Sequence, residues 1–216
     1  MEKTTFKIGR DIKIIRMLVG ELLTNSYLLL GQTDGNSYLI DPGDEADAIL
    51  EIIKEEKSEL KAIINTHGHI DHIGANDIIR KKTKAPVLIH QADGNYLTDA
   101  EKNLSLFIGL EKKFSPADRF LVENQEFLIG GEKIRVIHTP GHSPGSISLI
   151  GTGYILTGDT LFADSIGRTD LPGGDETEIY RSLKKILQVI DKNPLVLPGH
   201  GEPDHFEQIR KTNPFL

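Results

Sequence analysis

Three histidines and an aspartate fall within six residues, His67-Gly68-His69-Ile70-Asp71-His72, directly after the apolar run Ala62-Ile63-Ile64. The run reads as a buried strand, so the chain must fold with that strand ending where polar groups are tolerated, at the edge of a sheet. A strand-to-helix turn there brings alternate side chains to one point, where several imidazoles and a carboxylate can converge on a metal. Nitrogen and oxygen donors of this kind suit zinc, iron or manganese, and imidazole is the commonest metal ligand. The pattern recurs. His142, Asp159 and His200 each follow a predicted strand, in Thr139-Pro140-Gly141-His142-Ser143-Pro144-Gly145, Thr157-Gly158-Asp159 and Leu197-Pro198-Gly199-His200-Gly201. Permissive glycine backbone and the restricted φ of proline let such turns hold a side chain stiffly at a sheet edge.

A lone histidine after a strand is more often a hydrogen-bonded structural residue than a ligand. Four such sites in one chain shift the weight towards a metal. The five histidines and two aspartates are seven candidate ligands, more than one four-coordinate ion needs. Seven match two ions that share a carboxylate, with a water completing the set. The remaining histidines, His90, His138 and His205, lack a comparable setting and read as structural or surface residues. The chain contains no cysteine, which excludes disulfides, thiolate ligands and a cysteine nucleophile together and fits a reducing compartment.

The flanking sequence supplies the elements that would carry these turns. Tyr27-Leu28-Leu29-Leu30 and Tyr38-Leu39-Ile40 read as strands joined by the turn Thr33-Asp34-Gly35, and Asp41-Pro42-Gly43 stops the second. Residues 44–57 carry Ala46, Ile49, Leu50 and Ile53 at helical spacing. After His72 a helix is predicted with Ile73, Ile78 and Ile79 inward and the basic end Arg80-Lys81-Lys82. Pro86-Val87-Leu88-Ile89 is a further strand. Residues 91–125 are expected to form two short helices, the second with Leu104, Phe107, Ile108 and Leu110. Hairpins follow over Glu126–Ile137 and Ser146–Thr157. An amphipathic helix spans 176–191 (Ile179, Leu183, Ile186, Leu187, Ile190), and Leu195-Val196-Leu197 is a last strand. Strands in runs broken by helices, in each half of the chain, suggest an α+β fold with two sheets face to face and helices outside.

HGHIDH, PGHSPG, GDTLF and PGHG, in this order and at these separations, resemble the metallo-β-lactamase fold superfamily from about residue 12 to the end. The resemblance implies a four-layer αββα sandwich with metals at one edge of the sheets, over residues 1–216 as a single domain. Carried over by motif, His67, His69 and His142 would hold a first metal, Asp71, His72 and His200 a second, and Asp159 would bridge them. His69 stands where flavodiiron relatives have glutamate, which disfavours the electron-transfer branch. The stretch GDTLFADSIGRTD is similar to the glyoxalase II branch, the hydroxyacylglutathione hydrolases, especially its small bacterial members, and also to the persulfide dioxygenases. True β-lactamases, lactonases and RNA-processing nucleases match it less well. Larger glyoxalase II enzymes have a C-terminal helical domain that helps grip glutathione; the expectation here is the small type without it. Those enzymes also tend to have an aromatic pair after the basic residue at the place of Arg168, where Thr169 and Asp170 stand. Arg168 could meet a substrate carboxylate with its guanidinium fork, or brace its loop by pairing with Asp164 or Asp170.

The activity implied is a dinuclear hydrolase with two divalent cations per chain, zinc first and iron or manganese as alternatives, acting on a small-molecule thioester such as a hydroxyacylglutathione. Two cations about 3.5–4 Å apart can share one water and lower its pKa towards neutrality. The bridging hydroxide would attack the thioester carbonyl, with Asp71 as the catalytic group that orients it and moves its proton. A tetrahedral oxyanion beside two cations is stabilised more than the neutral ground state. The alternative is a mononuclear iron persulfide dioxygenase, in which His67, His142 and Asp159 form the two-histidine, one-carboxylate set; an accompanying rhodanese domain is not seen, which favours the hydrolase. A metal-stabilised binding module would instead need a coordination sphere closed to solvent. Phe162, Phe107 and Tyr96 could line the cleft, although core packing is the commoner explanation for aromatics at helical spacing.

Composition bounds the partners. With 25 basic against 32 acidic side chains and a net charge of −7, no phosphate-neutralising nucleic-acid surface is suggested. No apolar run approaches the roughly 20 residues of a membrane helix, and MEKTTFKIGRDIK is too charged for a signal-peptide core. A cytoplasmic enzyme is expected, with no membrane partner.

Overall fold

In the computed structural model, which describes residues 1–216, the strand Ile12–Val19 sends Ile12 and Ile14 into one core and Ile15, Met17 and Val19 into another. Thr24–Gly31 does the same, with Tyr27 and Leu29 on one side and Leu28 and Leu30 on the other. A pleat of period two, apolar on both faces, requires a sheet covered on both sides. Seven strands lie side by side in chain order in that sheet: β1 (Lys3–Ile8), β2 (Ile12–Val19), β3 (Thr24–Gly31), β4 (Asn36–Ile40), β5 (Glu59–Ile64), β6 (Val87–His90) and β7 (Arg119–Leu121). Pairing is antiparallel as far as β4 and parallel beyond it.

The second sheet contains β8 (Glu126–Ile129), β9 (Glu132–His138), β10 (Ile147–Gly151), β11 (Tyr154–Gly158), β12 (Leu195–Pro198) and β13 (Asp204–His205), in the order β13-β12-β11-β10-β9-β8. Its inner face (Val136, Leu149, Leu156, Leu197) packs on that of the first (Ile14, Leu29, Ile40, Ile64). On the outer face of the first sheet lie α1 (Ala46–Glu55), the single turn α2 (Ile70–Ile73) and α3 (Asn76–Thr83), packed through Ile49, Ile52, Ile73 and Ile79. On the outer face of the second lie α4 (Glu176–Val189) and α5 (Phe206–Thr212), through Leu183, Ile186, Phe206 and Ile209. The layers are therefore helix, sheet, sheet, helix, as the resemblance implies. No helix is long and apolar enough to cross a membrane.

Several local expectations are corrected. The helix after His72 is split into α2 and α3, and Ile78 faces solvent because Ile79, about 100° further round, takes the inward position. Leu187 of α4 is likewise exposed. The helix expected around Leu104–Leu110 is one 3-10 turn, Ser105–Ile108, bounded by left-handed backbone at Leu104 (φ 68°) and Gly109 (φ 75°). That geometry cannot propagate a right-handed helix, so Leu106, Phe107, Ile108 and Leu110 remain exposed. The short elements β7 and α5 have no clear periodic signal, since β7 buries only Leu121 and α5 only Phe206 and Ile209.

In the first sheet β4, β5 and β6 run parallel, and in the second β9, β11 and β12 share one direction. Their C-terminal ends meet at one rim, where the Ile147 amide donates to the Thr66 carbonyl at 2.9 Å and joins the two sheets. Every turn that carries a candidate ligand leaves from that rim.

Candidate metal centre

The geometry starts at Asp41, immediately after β4, in left-handed backbone (φ 49°). Such a conformation in a non-glycine residue needs support from its surroundings. The Asp41 carboxylate is buried and accepts from the Thr66 amide (2.7 Å) and the Thr66 hydroxyl (2.6 Å). It also accepts from His72 Nδ1 at 3.0 Å. With Nδ1 protonated towards Asp41, the Nε2 lone pair of His72 points the other way, at Asp71 Oδ2 (3.4 Å), Asp159 Oδ1 (3.5 Å) and His200 Nε2 (3.3 Å). His142 is set in the same manner. Its Nδ1 donates to the Arg168 carbonyl at 2.9 Å, and its Nε2 faces His69 Nδ1 (3.0 Å) and Asp159 Oδ2 (3.6 Å). A ring nitrogen tied to an oxygen acceptor behind and free in front is the usual arrangement of a metal-binding imidazole.

All seven residues singled out from the sequence come together. The ligand atoms of His67, His69 and His142 lie within 4.8 Å of one another, as do those of Asp71, His72 and His200. Asp159 groups with His67 and His72 in the same way, and its Oδ2 is 3.6 Å from both His142 and His200. It stands between the two sets. Close approach is possible because position 199 is glycine: a Cβ there would lie 2.1 Å from Asp159 Oδ1 and 2.9 Å from His72 Cε1. Gly68 is similarly constrained, since a Cβ would meet Tyr96 at 2.3 Å.

Four buried side-chain polar atoms have no hydrogen-bond partner, and three of them are here: His67 Nε2, His69 Nε2 and Asp159 Oδ1. Orphaned buried acceptors cost about 1–3 kcal/mol each, and convergent lone pairs without donors suit a cation. The charge balance agrees. Burial, then the neighbouring imidazoles, push His67 well below the ordinary histidine range and His69 down to about 3, so both are neutral donors. Burial opposes charge on His72 too, yet Asp71, Asp159 and Asp41 raise it to about 10. Against its own burial, the Asp71 carboxyl is held well below the usual range by His72 and His200. The carboxylates thus call for positive charge at this point, which a proton on His72 satisfies and a bound cation would replace. The donor set fits divalent metal ions.

Sequence reasoning missed the residues that brace the site. Asp93, buried in the turn after β6, accepts from the Gly68 amide (3.0 Å), the Ser143 hydroxyl (2.6 Å) and the Gly145 amide (2.6 Å). It ties the two histidine turns together across the sheets. Burial pushes its carboxyl up, and these donors hold it back in part. Arg16, buried on β2, binds Asn25 through Nε (2.7 Å) and Glu202 through both terminal nitrogens (2.7 and 2.9 Å). Asn25 donates to the carbonyls of Pro198 and Gly201, on either side of His200. Thr24 donates to Asp71 Oδ2 at 3.1 Å. Asp41 was visible only as a strand stop, and the others have no local motif.

A cavity of about 350 Å³ opens over His69, Asp71, His142 and Asp159, with Arg168 at its wall. The Arg168 guanidinium is exposed and makes a two-pronged pair with Asp170, both contacts 2.7 Å. Of the two acids considered from sequence, Asp170 is the one it meets. Phe107 reaches the cavity, whereas Tyr96 is buried and donates to the Pro172 carbonyl.

Residues 19–200 match the sequence family described as the Metallo-beta-lactamase superfamily. The chain is 39% identical over 204 residues to the Probable metallo-hydrolase YqgX of Bacillus subtilis, covering 93% of this chain and 96% of that one. It is 31% identical over 192 residues to the Hydroxyacylglutathione hydrolase GloC of Haemophilus influenzae, covering 87% and 91%. Among solved structures it resembles BLEG-1 B3 metallo-beta-lactamase, with TM-score 0.88 and 36% identity over 94% of this chain and 99% of that one. TTHA1623 in a di-iron-bound form follows at 0.82 and 33%, covering 93% and 99%. ETHE1 from Myxococcus xanthus gives 0.76 and 27%, covering 92% and 82%. The clustered histidines and aspartates at the rim of an αββα sandwich are those of a metallo-hydrolase family, and this chain belongs to the metallo-beta-lactamase superfamily.

Proposed function

We propose that the protein is a dinuclear metal-dependent hydrolase of small-molecule thioesters. The observation that carries the metal part is the set of buried, partnerless donor atoms on His67, His69 and Asp159; the thioester part is supported by the similarity to GloC. In this reading His67, His69 and His142 hold one cation, Asp71, His72 and His200 the other, and Asp159 lies between them. Divalent cations there would polarise a carbonyl and acidify a water. Zinc is the first choice, and the di-iron form of TTHA1623 makes iron the natural second, with manganese accommodated by the same donors.

The chain's own groups do the positioning. Asp71 lines the cavity, and its Oδ2, steadied by the Thr24 hydroxyl, takes the proton of the attacking water. Asp41 and the Arg168 carbonyl fix the ring orientations of His72 and His142, so the site is set before substrate arrives. Arg168 is placed to receive a substrate carboxylate on releasing Asp170. A cytoplasmic enzyme acting on a free metabolite fits this assignment.

The second reading, a mononuclear iron persulfide dioxygenase using His67, His142 and Asp159, is favoured by the similarity to ETHE1. Elemental analysis of protein purified without chelator, with thioester and oxygen-uptake assays, separates the two. About two ions per chain and thioester turnover support the hydrolase; one iron with persulfide-dependent oxygen uptake overturns it. Asp71→Ala and Asp159→Ala are each expected to lower kcat at least about 100-fold. Wild-type rates at full metal content would remove the role given to that residue.

A further inference from the structure

Two separate segments hold large apolar side chains out in water at the mouth of the catalytic cavity. Leu22, from the β2–β3 hairpin, is 60% exposed, and Phe107 and Ile108, from the turn after Leu104, are 64% and 57% exposed. These three, with Ile70, Leu104 and Leu171, form the apolar wall of the cavity that opens over His69, Asp71, His142 and Asp159. A neighbouring depression of about 440 Å³ shares Leu22, Ile70, Asp71 and Ile108 and continues the apolar surface past Leu110. The backbone keeps these residues outward: Leu23 (φ 53°) and Leu104 (φ 68°) are both left-handed, which turns each segment away from the core. A contiguous exposed apolar surface beside a polar site marks a place where a ligand is covered.

Away from the proposed metal ligands, the trough offers a highly ionised ligand few charges to meet. Its basic side chains are Arg168 and Lys112, set against Glu21 and Asp44. Arg168, on releasing Asp170, can receive one carboxylate. A glutathionyl group brings two carboxylates, whereas the cavity over the proposed ligands has one basic side chain, Arg168, to meet them.

We propose that the substrate is a thioester carrying an uncharged apolar chain, which lies along Leu22, Ile70, Phe107 and Ile108 while its carbonyl reaches Asp71 and Asp159. The proposal rests on the hydrolase reading for the reacting group and on the apolar trough for the chain. That chain can belong to the acyl or the thiol side; both bring the same chemistry to the trough.

The test uses metal-replete full-length protein and two neutral series, N-acetylcysteamine thioesters of acetyl to octanoyl groups and acetyl thioesters of ethyl to octyl thiols, with S-lactoylglutathione as the charged reference. A methylene fully removed from water is worth about four-fold, and one half-covered by an open trough about two-fold, so kcat/KM is expected to rise about 16-fold over four methylenes in one series. The series that rises identifies the side that binds. Phe107→Ser and Leu22→Ser should flatten the rise to less than about four-fold, whereas Leu128→Ser, an exposed apolar residue on β8 outside both depressions, should leave it intact. No length dependence in either series, or a lactoylglutathione rate above every neutral substrate, overturns the proposal. Calorimetric binding of non-hydrolysable S-alkyl-N-acetylcysteamine thioethers separates it from the hydrolase reading. If no thioester is turned over, the hydrolase reading fails; affinity that still rises with alkyl length upholds the trough, and length-independent affinity overturns it.

Discussion

Asp93→Ala removes the carboxylate that joins the two histidine turns. Gly68, between His67 and His69, and Gly145, three residues after His142, would each lose a hydrogen-bond acceptor for a backbone amide. Ser143 would lose one as well, but its hydroxyl lies 2.8 Å from the Ser146 hydroxyl and can pair there instead. Two orphaned buried amides at about 1–3 kcal/mol each give a loss of about 2–6 kcal/mol, near the lower end if a water enters. Asp93→Asn keeps one acceptor oxygen for Gly145 but turns an NH2 group towards the Gly68 amide, so about 1–3 kcal/mol is expected. Urea denaturation of metal-free protein reads these values directly, provided the m-value is unchanged. Calorimetric metal binding should show at least about ten-fold weaker affinity in both variants, as for other residues that orient ligands from behind. A change in stability under about 0.5 kcal/mol with unchanged metal affinity would refute the bracing role.

Three further outcomes are expected. His90 is stacked on His138 at 4.0 Å, and its Nδ1 accepts from the Ala92 amide. Burial first, then charge on His138 and on Lys185, hold His90 down to about 4 against the opposing Glu123. Because its folded pKa lies below the ordinary 6.5, the unfolded chain binds the proton more readily; the associated stability is present above pH 6.5 and lost as pH falls towards about 4. For a half-buried group this amounts to about 1–2 kcal/mol after solvent screening, and an unchanged pH slope in His90→Gln denaturation curves would contradict it. Gly199→Ala drives a Cβ into Asp159 and His72 and should weaken metal binding at least about ten-fold, with about 1–3 kcal/mol of destabilisation; wild-type calorimetry would show that the turn can yield. Arg168→Ala should leave the urea midpoint unchanged, since its pair with Asp170 is exposed. A raised KM at constant kcat for a carboxylate-bearing thioester would support contact with substrate, and an unchanged KM would leave Arg168 only its bracing pair.

The candidate ligands were legible because each is announced locally. An apolar strand, then a glycine- or proline-rich turn, then histidine or aspartate is a pattern contained within a few residues, and it recurs at His67, His142, Asp159 and His200. The layering was legible for the same reason, since period-two and period-3.6 burial are properties of short segments. The segment around Leu104–Leu110 misled because its composition is that of a helix, while left-handed backbone at Leu104 and Gly109 makes it an open turn.

By itself, then, the sequence determined which histidines and aspartates follow strand ends as candidate ligands and which strands deliver them to a rim. Tertiary structure alone decided how they are held and what surrounds them. Asp93 meets partners 25 to 52 positions away, and Arg16 meets Glu202 across 186. No local pattern encodes such pairs, because a carboxylate or guanidinium acquires its role only when folding removes it from water beside a particular donor or acceptor. The apolar mouth is likewise a product of folding: Leu22 and Phe107 share one cavity only because the β2–β3 hairpin and the turn after Leu104 converge over Asp71.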